Sequence, residues 1–468
     1  MSAQARAANC ARAVQRRNIL PPPLNLELLI SQSARKGITR AMNSKFVFVR
    51  NSAATCRWLL FVGAMLVAFA IPAFVTPTRV AQAAGPSVVA FSAATYNVQE
   101  DMTFRTITVL RTGDVSGPAT VDYATANVSA SQRTDYTAAL GTLRFGANES
   151  SKSFDVLISE DIKIEGTETF TITLSNGTGQ ALLGSPSTAS IVITDDPIEA
   201  GPNPIDFRDI FVGQHYHDFL ARQADASGQL FWEGQISSCG SNAACIDDRR
   251  INVSAAFFLS IEFQQSGYFV IRAHKAGFGN AKSNPRYLTF LRDQRRIGEG
   301  LIVGNTGWEA LLEANRQAFL QEFVSRPEFV SNFPQGVNVF TYVDTLFANE
   351  GVIPTASERQ AAINAYGAGN TLGRAAALNS VIESDSVFNT QYNSAFVLMQ
   401  YFGYLRRDAD DPPDNNFGGY DFWLNKMNQF SIPGENVRDD DVALARVKRA
   451  DMVESFIVSG EYRLRFGL

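Results

Sequence analysis

The hydrophobic period of this chain changes once, near residue 204, and that change constrains what each side can become. From Val88 onward, apolar and polar residues alternate through Val88–Phe91, Arg105–Leu110, Ala119–Tyr123, Gly141–Phe145, Ser153–Ile158, Thr169–Leu174 and Ala189–Ile193. These runs are rich in Val, Ile, Thr and Phe, and Gly, Asn, Asp and Ser turns separate them. A period of two places alternate side chains on opposite faces of a strand. Seven short strands within roughly 110 residues predict an antiparallel, immunoglobulin-like β-sandwich over 86–197. Ile198 to Pro204 then reads as a short linker. Beyond it Val212, Tyr216, Phe219 and Leu220 fall on one face of a helix, and Leu312, Phe319 and Phe323 repeat that spacing. Thr355-x-x-Glu358 and Ser357-x-x-Gln360 are competing capping-box starts for another helix. Of 34 Phe residues, 24 lie after residue 204, which predicts a dense aromatic core. The expected fold class is therefore multidomain β + α: the sandwich, then an all-α helical repeat domain over 205–468.

The helical region repeats itself. Phe211-Val212-x-x-x-Tyr216-x-x-Phe219-Leu220-x-Arg222-x-x-Asp225, followed by Phe231-Trp232, returns as Phe396-Val397-x-x-x-Tyr401-x-x-Tyr404-Leu405-x-Arg407-x-x-Asp410, followed by Phe422-Trp423. Tyr342-x-x-x-Leu346 is a worn middle copy. A second element recurs as Phe257-x-x-Ser260-x-Glu262-Phe263, Phe323-x-x-Arg326-x-Glu328-Phe329 and Phe456-x-x-Ser459-x-Glu461-Tyr462, with Val381-x-x-Ser384 a poorer fourth. Core packing is the simplest role for the shared Phe-Trp. The stretch 265–310 departs most from the pattern.

Charge is divided unevenly over the 468 residues. The formal total is −5, yet residues 1–84 hold 11 Lys and Arg against the single acid Glu27. The remaining chain is strongly acidic, which argues against nucleic acid and against an anionic membrane surface as partners. The apolar run Trp58–Ile71 follows Lys45, Arg50 and Arg57, and precedes Val80-Ala81-Gln82-Ala83-Ala84. A basic region, a short apolar run and a small-x-small site are the parts of a secretory signal peptide, with cleavage expected after Ala83 or Ala84. An uncleaved membrane anchor is the alternative, although Pro72 interrupts the run. Residues 1–84 are thus an N-terminal extension and signal peptide or anchor, with Met42 a second candidate start. The expected location is secreted or cell envelope, with membrane contact only through that segment. Cys10 and Cys56 belong to the leader, while Cys239 and Cys245 form an even pair in a Gly/Ser/Asn loop. In an oxidising compartment they read as a local disulfide, worth about 2 kcal/mol in the chain-entropy model.

The sandwich region carries 13 acids against 6 basic residues. Glu100 ends one strand, Asp135 precedes Tyr136, Asp161, Glu165 and Glu168 crowd one turn, and Asp195 and Asp196 close the region. Carboxylates gathered at strand ends repel one another unless a cation neutralises them, and Ca²⁺ takes its oxygen ligands from such loops. Solvated acidic turns are the plainer alternative. Phe91-Ser92, Tyr96-x-Val98-x-Glu100, Val109-x-Arg111-x-Gly113, Asp135-Tyr136-Thr137, Gly141-Thr142-Leu143-x-Phe145, Asp161-x-x-x-Glu165-Gly166-x-Glu168-x-Phe170 and Ile193-x-Asp195-Asp196 together resemble the Calx-beta domain. That resemblance implies a β-sandwich binding Ca²⁺ in loops at one end. Its implied ligands are Glu100, Asp135, Asp161, Glu165, Glu168, Asp195 and Asp196, together with the Lys163 carbonyl. Two departures stand out: the final acidic run stops at Pro197, and the loop before Asp135 has Asn127 and Arg133 in place of glycines.

The helical repeats resemble the bacterial domain of unknown function 4214, most clearly over Tyr216–Trp232 and Arg407–Leu424. This implies an extracellular accessory or interaction role without chemistry. No Gly-x-Ser-x-Gly, His-Glu-x-x-His or phosphate-loop pattern occurs. His215 and His217 lie on opposite sides of a predicted helix, about 200° apart, and with His274 read as structural. Asp408–Asn416 lacks the Gly and distal Glu of a helix–loop–helix Ca²⁺ site and reads as a solvated turn. The expected function is an exported, Ca²⁺-binding, non-enzymatic surface or extracellular protein making adhesion, matrix or envelope contacts with a protein or glycan partner. An accessory or hydrolytic protein acting on extracellular glycans is the alternative.

Overall fold

The alternating residues of the first region pair into two facing sheets. The structure is a computed structural model describing residues 85–467 except 180, 198 and 199. The leader, with its apolar run, Cys10 and Cys56, lies outside the described residues. The strands are β1 (Val88–Phe91), β2 (Thr95–Gln99), β3 (Phe104–Thr112), β4 (Ala119–Asn127), β5 (Leu140–Phe145), β6 (Ser151–Leu157), β7 (Glu168–Ser175), β8 (Leu182–Leu183) and β9 (Thr188–Thr194). One sheet runs β6-β3-β1-β8 and the other β2-β9-β7-β4-β5. Val89, Ile107, Val109, Val121, Phe170, Ile172 and Ile191 point inward and are fully buried. Their burial, at about 1.5–3 kcal/mol per large side chain, is what holds the sheets together.

The pairing is antiparallel except at two places. The break at Ser92–Ala94 carries the chain from one sheet to the other. β1 then pairs antiparallel with β3, while β2 pairs parallel with β9, Thr95 opposite Ser190 and Gln99 opposite Thr194. β8, only two residues long, pairs parallel with β1. The antiparallel sandwich expectation holds, with these two parallel pairings added to it. A chain that crosses between sheets without reversing direction meets its second partner in parallel.

The second region is helical, as its period predicts. Gly267–Phe278 lies in the stretch that departs from the repeat, and it is buried at every position but the last. Its Arg272, His274 and Lys275 are buried too, each with a polar partner: Glu383, Asp293 and Asn280. Asp385–Tyr404 is likewise almost wholly enclosed. Thr355, rather than Ser357, forms the capping box: its side chain accepts from the Glu358 N–H, and Glu358 reaches back to the Thr355 N–H. The Cys239–Cys245 disulfide is formed, and Asn242 between them caps the helix Ala243–Leu259.

The sequence repeat is a structural repeat. Arg222 grips Glu262 through Nε (2.7 Å) and Nη2 (2.8 Å), and Arg407 grips Glu461 through the same atoms (2.6 and 2.9 Å). Each guanidinium lies over the tyrosine six residues earlier, Tyr216 or Tyr401. Each of those tyrosines meets a phenylalanine edge-on, Phe257 or Phe456, against which Trp232 or Trp423 also packs. Ser260 and Ser459 cap the short helices that follow. In the middle copy Arg326 stands where the capping serine would be, and its guanidinium turns to Asp293 instead, at 2.7 and 2.8 Å.

One glycine completes each copy. A Cβ at Gly228 would fall inside the contact radius of the Tyr216 hydroxyl, and one at Gly419 inside that of Tyr401. We expect Gly228→Ala and Gly419→Ala each to cost about 1–3 kcal/mol by overpacking, despite alanine's better helix propensity. Urea denaturation checks this, and a neutral or stabilising result would show that the tyrosines yield freely.

Sandwich and helices share a joint. Asn203 donates to the carbonyls of Arg463 (3.0 Å) and Gly467 (3.2 Å), so the stretch read as a linker is pinned at its end. Buried Asp218 accepts from Arg406 and Arg465, and Arg406 also donates to Ser159 at the end of β6 (3.0 Å). Asp408–Asn416, expected to be a solvated turn, belongs to this joint. Asp408 accepts from the Tyr287 N–H (2.8 Å), Arg286 pairs with Asp408 and Asp410, and Arg133 donates to the Pro412 carbonyl (2.9 Å). Arginines brought from distant parts of the chain make the acids structural. Among the described residues no helix is long and apolar enough to cross a membrane.

Candidate metal centre

Strand register gathers the acidic loops at one end of the sandwich. β7 begins at Glu168, opposite Ile193 of β9, so Asp195 and Asp196 follow immediately beside it. Gln99 pairs with Thr194, so Glu100, buried at 2% exposure, continues next to Asp195. Tyr136 bridges to Ile158, and Ser159 donates its N–H to the Asp135 carbonyl (2.9 Å), which places Asp135 beside the 159–167 loop.

Three of the seven candidate carboxylates converge. Oxygens of Asp135, Glu165 and Glu168 lie within 4.8 Å of one another. Two ligands at about 2.4 Å from a Ca²⁺ centre can be at most about 4.8 Å apart, so this triangle fits one coordination sphere. The other four surround it without joining it. Asp195 accepts the Gly166 N–H (2.8 Å), a geometry that uses the left-handed φ of +74° at Gly166. Asp161 accepts the Lys163 N–H (2.7 Å). Glu100 and Asp196 are placed by register alone.

Burial and mutual repulsion act on the carboxylates at this end. Burial raises the Glu168 carboxyl to about 7, helped by its hydrogen bond to Asp135 and by the charges of Asp135, Glu165 and Asp161. Burial likewise raises Asp161 and Glu165. Glu168 Oε2 and Asp195 Oδ1 are buried oxygens without a hydrogen-bond partner. Crowded, proton-hungry carboxylates with unmet lone pairs fit a hard divalent cation, which prefers oxygen donors.

Sequence reasoning considered only the carbonyl of Lys163, yet its side chain enters the cluster. The ammonium lies 2.9 Å from Asp161 Oδ2, 4.0 Å from Glu165 Oε1 and 3.4 Å from the Arg465 carbonyl. Burial alone would lower its pKa, but the hydrogen bond to Asp161 and the surrounding acids raise it. The second departure from the family pattern, in the loop before Asp135, has a structural role. Asn127 Oδ1 accepts from the Tyr136 hydroxyl (2.6 Å) and the Gln132 N–H (3.0 Å), shaping the loop that carries Asp135. Arg133 turns away from the carboxylates toward Asp411 (3.4 Å).

The histidines are structural. His215 sits between the Phe211 carbonyl (2.7 Å) and Ser254 (2.9 Å), and burial lowers both His215 and His217 to about 4. His274 pairs with buried Asp293 at 2.8 Å.

Known proteins resemble the chain over its first region. The family model of the Calx-beta domain matches residues 83–197, and that part of the chain is a Calx-beta domain. Similar stretches occur in the extracellular matrix organizing protein FRAS1 of Homo sapiens, 33% identical over 114 residues, and in the sodium/calcium exchanger Calx of Drosophila melanogaster, 32% identical over 106 residues. Each match covers 23% of this chain, but only 3% of the first relative and 11% of the second. The crystal structure of the apo-form Calx CBD1 domain is 31% identical, covering 24% of this chain and 98% of that one with a TM-score of 0.23.

Proposed function

We propose that the chain is an exported, non-enzymatic protein whose β-sandwich binds Ca²⁺ at the Asp135–Glu165–Glu168 end and carries a helical module for matrix or envelope contacts. The observation that bears most weight is the convergence of those three carboxylates, with buried Glu168 and Asp195 oxygens left unsatisfied. Calx-beta membership of 83–197 supports the cation, and the FRAS1 match supports the extracellular setting. The leader composition and the Cys239–Cys245 disulfide agree with export. The resemblance of 205–468 to domain of unknown function 4214 supports an accessory role for the helices, with a protein or glycan as the contacted partner.

Ca²⁺ titration of residues 85–468 tests the reading. A ligand that binds only the folded state stabilises it by about 2.7 kcal/mol at a hundredfold excess over Kd. The melting temperature is expected to rise with Ca²⁺ and not with Na⁺ at equal ionic strength. A flat response at millimolar Ca²⁺ would remove the metal from the proposal.

A further inference from the structure

The loop that carries the acids is held from the helical side. Ile162 donates its N–H to the Phe466 carbonyl (3.3 Å). Gly467 packs so closely on the same residue that a Cβ there would stand 2.4 Å from Ile162 Cγ1, and its φ of +127° also favours glycine. Asn203 fastens the other side of this segment through the carbonyls of Arg463 and Gly467. Arg465 sends its guanidinium to Asp218 and the Tyr404 carbonyl (2.6 Å), and offers its own carbonyl to the acidic loop.

Lys163 joins the two sides. Its ammonium donates to Asp161 Oδ2 (2.9 Å) and to the Arg465 carbonyl (3.4 Å), and lies 4.0 Å from Glu165 Oε1. One cationic group thus serves the carboxylates and segment 463–467 at once. Glu165 also belongs to the converging triangle with Asp135 and Glu168. A divalent cation held by that triangle would share Glu165 with the ammonium. Two positive charges on one carboxylate repel each other, so cation and ammonium are alternatives. The ammonium has a way out, because the Lys163 side chain is 30% exposed and its stem is flexible. Asp161 stays behind: its side chain is 1% exposed, and it keeps the Lys163 N–H (2.7 Å).

We infer that Lys163 is a positioning residue that couples the cation site to the helical module: its ammonium ties the metal-free carboxylates to segment 463–467, and cation binding releases that tie. The inference rests on the Ca²⁺ reading of this end of the sandwich. The coupling is reciprocal, so a loosened segment also favours the metal. Hydrogen exchange is followed on the full chain in EGTA and in saturating Ca²⁺, with calorimetric Ca²⁺ titration alongside. In the parent, Ca²⁺ should speed exchange of the Ile162 amide and of the amides at 464–466 by about fivefold, the worth of one net hydrogen bond. Lys163→Met keeps the stem and removes the charge. It should show the faster exchange already in EGTA, gain no further change from Ca²⁺, and bind Ca²⁺ about tenfold more tightly than the parent. A merely structural lysine would weaken binding when lost, not tighten it. The parent comparison needs no variant and stands even if the substitution unfolds the protein. No binding heat from parent or variant would remove the metal reading and this inference together. Binding heat in the parent with exchange at 162 and 464–466 unchanged or slower, or Lys163→Met binding Ca²⁺ no more tightly, would overturn the inference alone.

Discussion

Asp218→Ala is expected to destabilise the folded chain by about 3–5 kcal/mol, the range for stranding a buried charge. Asp218 is 1% exposed, and its carboxylate accepts from Arg406 Nε (3.1 Å), from Arg465 Nη1 and Nη2 (3.1 and 3.0 Å) and from Gln214 (2.7 Å). Alanine would leave two guanidinium groups in the joint between sandwich and helices with no acid between them. Asp218→Asn should cost nearly as much, because it preserves shape and removes charge. The pH dependence has a definite sign. Burial pushes this carboxyl up, but Arg465 and Arg406 outweigh it and hold it below the ordinary range. Its stabilisation is therefore present above the unfolded value of about 3.9 and is lost as pH falls through the lower, folded one. Urea midpoints at pH 7 for the parent and both variants check the magnitude. A loss under 1 kcal/mol would mean that water reaches the network.

Glu168→Gln is expected to act in opposite directions with and without Ca²⁺. In the metal-free protein the change removes a charge that its neighbours oppose, so the melting temperature at pH 8 should rise. With Ca²⁺ the change removes a ligand, and together with Asp135→Asn it should weaken binding on the order of 100-fold. Acid should mimic the substitution. The folded value of about 7 lies above the unfolded value of 4.5. The metal-free protein therefore holds a stabilising proton below pH 4.5 and loses that contribution as pH rises through 7. A cation must displace the same proton, so the Ca²⁺-induced rise in melting temperature should shrink between pH 7.5 and 5. Scanning calorimetry across that range, with and without Ca²⁺, tests both signs, and an increment that does not change with pH would exclude Glu168 from the site.

Much of this was legible in the sequence because the decisive signals were periodic or paired. Alternation located seven of the nine strands, missing β2 and the two-residue β8, and the recurrence of Tyr, Arg, Phe-Trp and Glu located a unit whose Arg222–Glu262 and Arg407–Glu461 clamps the structure displays. The acidic positions were found, but the selection among them was not. Which carboxylates converge depends on register, through Glu168 opposite Ile193 and the turn at Gly166, and sequence spacing does not encode that distance. Lys163 was read as a backbone ligand because nothing local says that its side chain folds back. The Asp408–Asn416 run was read as solvated because its partners, Arg133 and Arg286, lie more than a hundred residues away.

Those distant partners bear on how the chain reaches its folded state. Arg144 on edge strand β5 finds Glu322 at a sequence separation of 178, and Arg406 finds Ser159 at 247. Such contacts close very long loops and so form late. Until Arg144 and Arg406 meet their helical partners, the edge strands β5 and β6 stand without the neighbouring helices, and such edges invite pairing with another chain. The passage from unfolded to folded protein therefore includes an interval in which a finished sandwich has two uncovered flanks. Crowded or rapid refolding should favour aggregation through those flanks, while dilution or slow release should favour the native fold.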